Sequence, residues 1–398
     1  MSPQTFRLAA VLGLLSCVGP FAIDMILPAM PTLAADFGST VGAAQITLTA
    51  FFLAFGVSQL VWGPWSDAVG RKLPLYVGLM IFAIGSLACA FAPSMNWLIA
   101  ARFLQGIGAA VVMVLPRAII RDTTTGNDAT RLMATVMLVI SVSPMLAPLF
   151  GSAVIAFADW HWIFIILAIA ALASIALTAT MLPETLKDGD KVPVNFANML
   201  AGTKTLFSSK TFMGLTFIGG FGMASFFVFI ASASFVYTQQ YGLTPTQFSI
   251  AFAINAIGFF GASQLAANFG ERFGMKTVVA YASAGFAFFT IGLFLLTLAG
   301  FTSLYLLIFM LICGNACLGL IIPSTMVMAL DDHGEIAGLA SSIGGTLQML
   351  AGSAMIAAVS PFFDGTSLPM TAAIAACGAG ALVLSRLVLG GSVAPVEV

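Results

Sequence analysis

The sequence predicts an all-α integral membrane protein: twelve transmembrane helices in two pseudo-symmetric six-helix bundles. Three observations lead there. The chain is 60% hydrophobic and 7% charged, with a mean hydropathy of +1.07, whereas water-facing domains carry about 25% charged residues. Apolar runs of bilayer-crossing length recur along the chain, about 20 residues being enough for about 30 Å of hydrocarbon. A charged loop pattern also appears twice, about half a chain apart.

Taken in order, the spans fall at roughly 8–30, 43–65, 73–92, 96–118, 132–156 and 162–182, then 211–236, 246–267, 277–298, 303–328, 338–360 and 369–389. The first run lacks a small-residue cleavage site, so it reads as a retained helix and not a signal peptide. An even count with the N-terminus inside places both termini in the cytoplasm. The positive residues agree: Arg7, Arg71, Lys72, Arg117, Arg121, Arg131, Lys187, Lys191, Lys204, Lys210, Arg272, Lys276 and Arg386 all fall on that side. Outer loops hold only Asp36, Asp159 and Asp364, and Arg102 is the one basic residue inside a span. The longest polar interval, 183–210, separates a bundle at 1–182 from one at 211–398 and reads as a cytoplasmic central loop.

Composition also excludes functions. A net charge of −1 gives no sign of nucleic-acid binding. Cys17, Cys89, Cys313, Cys317 and Cys377 all lie in apolar runs, as packing residues and not as a disulfide framework or zinc site. No GxxxxGK[ST] loop occurs, which argues against ATP drive.

The repeat lies in the loops after spans two and eight. GPWSDAVGRK (63–72) and NFGERFGMK (268–276) align Gly70 with Gly274, Asp67 with Glu271 and Lys72 with Lys276, an offset of 204 residues. Duplicated halves are a common transporter architecture, with substrate held between them.

GPWSDAVGRK resembles the signature loop of the major facilitator superfamily. RFLQGIGAA (102–110) resembles the helix-four motif of its drug–proton antiporters, and SPMLAPLFGSA (143–153) resembles their helix-five antiporter motif, with Ala147 and Ser152 where Gly is usual. IDMILPAMP (23–31), DWHWIF (159–164) and HGEIAGLASSIGGTLQ (333–348) resemble its Bcr/CflA multidrug-resistance branch. The resemblance implies the two-bundle fold, helices one and four lining a central cavity, and a signature loop whose Asp67 and Arg71 bond to neighbouring helix ends to close an inner gate.

Asp24 and Arg102 are the candidate proton-coupling residues. A carboxylate inside a span costs about 2.5–3.5 kcal/mol on insertion scales, so intramembrane charge points to function. At 1.5 Å per residue, Asp24 lies about 24 Å beyond Leu8 and Arg102 about 9 Å below Asn96. Both therefore fall in the outer half, where they can meet directly or through water. Burial and a neighbouring guanidinium pull the carboxyl in opposite directions, while Arg102 keeps its own charge. A static ion pair is the structural alternative. Gln105, three residues beyond Arg102, shares its face and joins the substrate-cavity candidates with Asn255, Asn315 and Gln348, amides that can equally bridge helices. In the signature loop Gly63 and Gly70 permit a tight turn. Pro144, Pro148 and Gly151 permit a bend in span five or close packing.

The expected function is a proton-coupled secondary transporter in the cell inner membrane, exporting small, largely apolar compounds by alternating access. The alternative is a proton symporter importing a metabolite. An intramembrane enzyme would need convergent His and carboxylates, and Asp24 is alone. Expected partners are a small-molecule substrate, protons and the bilayer, for a monomer without cofactor or metal.

Overall fold

A computed structural model describes residues 3–124, 126–187, 189, 191 and 196–390. Both chain ends and part of the interval 183–210 lie outside the described residues. Helices account for the fold, and no strand occurs among the described residues. Among the described residues twelve are long and apolar enough to cross a membrane: Arg7–Asp36, Val41–Val69, Lys72–Ala90, Met95–Thr123, Arg131–Phe157 and His161–Met181, then Lys210–Gln240, Pro245–Phe273, Met275–Leu298, Leu304–Asp331, Gly334–Phe362 and Ser367–Leu389. Several outrun the apolar stretches by about a turn or more. Hydropathy marks only what lies in hydrocarbon, whereas backbone hydrogen bonding continues into polar ends such as Arg121 and Asp122.

Helix starts follow from capping. Thr40, Ser94, Ser209 and Thr244 each accept a backbone N–H of the first turn through their hydroxyl. Thr244 and Gln247 complete a reciprocal capping box. Outside the spans, Phe196–Ser208 forms a further helix within the interval expected to be loop.

The chain divides into two compact units, Met1–Asn195 and Phe196–Val398. Inside the first, span one packs on span five, two on four and three on six; inside the second, seven packs on eleven, eight on ten and nine on twelve. Close approach depends on glycine: a Cβ at Gly106 would run into the Phe51 carbonyl of span two. In the first unit the Trp160 indole N–H also donates to Asp36 at 2.8 Å, tying the end of span one to the start of span six.

Candidate functional site

Span one is not one helix. It runs as an α-helix through Asp24, passes two turn residues and a 3-10 turn at Leu27–Ala29, and resumes at Met30–Asp36. Pro28 and Pro31 explain the break, since neither has an N–H to continue the ladder and each restricts the residue before it. Asp24 is therefore the last residue of a helix in the interior of the bundle. Its side chain is 3% exposed, and its Oδ1 is buried without a hydrogen-bond partner.

Gly151 of span five seats this break. A Cβ there would collide with the Met25 carbonyl oxygen, one residue after Asp24. The helix Gly126–Phe157 runs unbroken through Pro144 and Pro148. The proline-glycine motif thus appears as close packing against span one.

Arg102 is 1% exposed. Its Nη1 donates to the Ala22 carbonyl at 3.0 Å and to Gln105 Oε1 at 2.5 Å. The guanidinium lies over Phe51 at 4.4 Å and faces Phe164 at 5.9 Å, so two aromatic faces offset part of its desolvation. Gln105 passes the connection to Ser86 at 2.8 Å, which donates to the Phe82 carbonyl. One cation thus joins spans one, two, three, four and six.

Of the two ways of meeting left open, direct contact is absent: Arg102 forms no ion pair with Asp24, and no carboxylate pairs with it among the described residues. It binds the backbone two residues before Asp24, and its Nη2 is buried without a partner. Besides the Ser16 hydroxyl, the bundle interior therefore holds an unsatisfied carboxylate oxygen and an unsatisfied charged donor, on neighbouring helices. The backbone break exposes a carbonyl to Arg102, an interaction that helical spacing could not reveal.

The amides of the second unit are dispersed. Asn255 donates to the Tyr237 hydroxyl at 3.2 Å and to the Ala251 carbonyl at 3.0 Å, leaving its Oδ1 unpartnered. Asn315 has an unpartnered Nδ2. Gln348 and Thr325 close around Gly219, where a Cβ would lie 2.7 Å from the Gln348 amide nitrogen. No hydrogen bond joins the three amides to one another among the described residues.

The signature loop forms a dense charged network at the other end of the first bundle. Gly70, with φ +113°, makes the turn, and Gly63 lies inside the helix Val41–Val69, against Val114. Arg71 donates to Asp67 at 2.6 Å and grips Asp122 of span four with Nε at 2.7 Å and Nη2 at 3.2 Å. Its side chain is 2% exposed. Burial pushes the Arg71 guanidinium down, but Asp122 and Asp67 outweigh it and hold the group above its ordinary value.

Glu184, just after span six, accepts the backbone N–H of Arg71 at 2.9 Å and of Lys72 at 3.1 Å, satisfying donors at the start of span three. Burial pushes the Glu184 carboxyl up, but bonds from the N–H groups of Arg71, Lys72, Leu186 and Thr185 outweigh it and hold it below its ordinary value. The Thr185 hydroxyl closes the ring onto Asp122 at 3.3 Å. Sequence reasoning missed Asp122, Glu184 and Thr185. The available signals were a carboxylate at the end of span four and one just past span six.

The signature geometry and the duplicated helix pairing meet in one family. Residues 12–357 match the family model described as Major Facilitator Superfamily. The chain belongs to the major facilitator superfamily. It is 30% identical to a bicyclomycin resistance protein homolog of Haemophilus influenzae across 94% of each chain. It is 32% identical to multidrug resistance protein D of Escherichia coli over 65% of each chain. In fold it resembles the crystal structure of a mutant nucleoside transporter NupG, with a TM-score of 0.77 and 14% identity, covering 98% of this chain and 100% of that one. As a superfamily member this chain is a multi-pass membrane transporter of small molecules, not an enzyme.

Proposed function

We propose that this transporter exports small, largely apolar compounds, drug-like molecules among them, in exchange for protons. The observation that carries the reading is the buried, unpartnered carboxylate oxygen of Asp24 at a helix break, in the bundle where Arg102 keeps an unpartnered Nη2. A carboxylate oxygen left without a donor in an apolar interior has nothing to offset its charge, and binding a proton removes that charge. Opening the site to water, or swinging Arg102 from the Ala22 carbonyl toward Asp24, favours the ionised form and releases the proton. Alternating between these arrangements supplies the coupling. The resistance proteins among its relatives support a drug-like substrate.

In this reading span one and span four line the pathway in the first bundle, with Gln105 orienting Arg102, while Asn255, Asn315 and Gln348 are the substrate-binding candidates of the second. The Asp67–Arg71–Asp122 lock holds the signature loop in one state and opens in the other. The positive-residue pattern puts that lock and both termini on the cytoplasmic side of the inner membrane. The transporter works as a monomer.

The test is proton flux in proteoliposomes with a candidate compound placed on each side in turn. Substrate added inside vesicles should drive proton movement opposite to its own, and Asp24→Asn should eliminate that movement while neutral-ligand binding persists. Proton and substrate moving the same way would establish import by symport instead. Native coupled flux in Asp24→Asn would remove Asp24 from the mechanism.

A further inference from the structure

At the end of the first bundle where its Lys and Arg gather, a cavity of about 610 Å³ opens between the ends of spans one, three, four and six. Arg7 and Lys72 line it, and no carboxylate does. Arg71 and Arg121 nearby are compensated by Asp67 and Asp122. Among the described residues neither Arg7 nor Lys72 has an ion pair; the Lys72 ammonium lies over the Tyr76 ring at 5.9 Å. The cavity wall itself therefore carries two cationic side chains, while the neighbouring Glu184 carboxylate is engaged by the backbone N–H groups of Arg71 and Lys72.

Its remaining wall divides in character. Leu8, Met181 and Leu182 make an apolar side that continues into the spans. Thr123 and Thr180 give their hydroxyl protons to carbonyls of their own helices, leaving lone pairs able to accept a hydrogen bond. A cationic face, an apolar face and outward acceptors at the bilayer–water boundary suit an amphiphile. Basic pockets between helix ends on the cytoplasmic side are suited to lipid headgroups. A free phosphate ion has no use for the apolar wall, and a zwitterionic headgroup would find no carboxylate in the lining for its ammonium.

We propose that this cavity binds the headgroup of an anionic phospholipid, with Arg7 and Lys72 holding the phosphodiester and the acyl chains leaving along Leu8 and Met181. A glycerol headgroup fits the two threonine acceptors.

The test titrates phosphatidylglycerol, phosphatidylcholine of equal chain length and inorganic phosphate into the detergent-solubilised full chain. Bound lipid is read by native mass spectrometry and stabilisation by thermal unfolding. Phosphatidylglycerol should be retained and raise the midpoint, whereas phosphatidylcholine should do neither and inorganic phosphate should not displace it. R7Q with K72Q should weaken retention about 25-fold, at about fivefold per charge. R272Q with K276Q, which removes the same charge from the second bundle, should leave it unchanged. If the neutral double variant does not accumulate, R7Q alone, with its fivefold loss, and the charge-retaining R7K/K72R, with none, carry the test. Equal retention of phosphatidylcholine, displacement by inorganic phosphate, or unchanged affinity in the neutral variants overturns the proposal.

Discussion

Both bundles turn from their second span into their third on a positive-φ glycine, Gly70 at +113° and Gly274 at +81°. The side chains around the two turns behave differently. In the first bundle Arg71 is buried in bonds to Asp67 and Asp122, and Glu184 covers the backbone beside it. In the second, Glu271, Arg272 and Lys276 make no ion pair among the described residues, and Arg272 lies over its neighbour Phe273 at 5.2 Å. The interiors differ in the same way. Asp24 and Arg102 charge the first, whereas amides and hydroxyls suffice in the second. Duplication supplied one backbone twice, and among the described residues charge was buried in one copy only. Packing and electrostatics are thus separable here, and each can be perturbed in one bundle with the other as its control.

The largest contrast concerns transport. Asp24→Asn should abolish proton-driven accumulation, whereas Asn255→Ala in the uncharged bundle should leave coupling intact and alter apparent substrate affinity. Vesicle uptake under an imposed pH gradient separates the two. Equal losses of coupling in both variants would break the assignment of charge to one bundle.

Next comes the lock. Arg71→Ala strands two carboxylates, for a loss of about 2–3 kcal/mol, kept moderate because the Asp67 side chain is 42% exposed and screened. Arg272→Ala should change stability by less than about 0.5 kcal/mol. Thermal unfolding of both in detergent measures the difference. Thiol labelling of cysteines placed near the inner ends of spans one and four should rise only in Arg71→Ala if the lock closes that end.

A purely steric comparison follows. Gly151 of span five meets a backbone carbonyl of span one, while Gly352 of span eleven meets the ring of Phe227 on span seven. A ring can rotate away and a carbonyl cannot. Gly151→Ala should therefore cost about 1–3 kcal/mol, and Gly352→Ala less. The reverse order would show that the break in span one yields.

The smallest effect is a pH dependence. The Glu184 carboxyl is held below its ordinary value, so its stabilising contribution is present above the unfolded carboxylate range and lost as pH falls through the folded value. Unfolding midpoints of the native chain should drop more steeply than those of Glu184→Gln below about pH 4.5, the ordinary carboxylate value. Parallel curves would mean the cap contributes nothing.

These contrasts also mark what the sequence made legible. Twelve spans follow from hydropathy alone, because hydrocarbon imposes length and composition on any helix that crosses it. Asp24 and Arg102 stand out for the same reason, as does the adjacency of Gln105 to Arg102, which is a matter of helical spacing. The actual partners of Arg102 were not legible. A backbone carbonyl 80 residues away and the face of Phe51 carry no sequence mark, and the break that frees the carbonyl arises from two prolines acting on neighbouring turns. Asp122 and Glu184 looked like ordinary polar residues at helix ends, since nothing local says which of many carboxylates will find Arg71.

The break in span one has a mechanical side. Pro28 and Pro31 lack an amide proton for covalent reasons, so no conformational change can heal the ladder there. The pieces Pro3–Asp24 and Met30–Asp36 are therefore two rods on a permanent joint. Two splints hold it, the grip of Arg102 on the Ala22 carbonyl and the press of Gly151 on Met25. Only the first can let go without backbone sliding. Whatever draws Arg102 off Ala22 therefore does more than move a charge: it removes one of the joint's two splints, leaving Gly151 and the Trp160–Asp36 bond to hold the two rods.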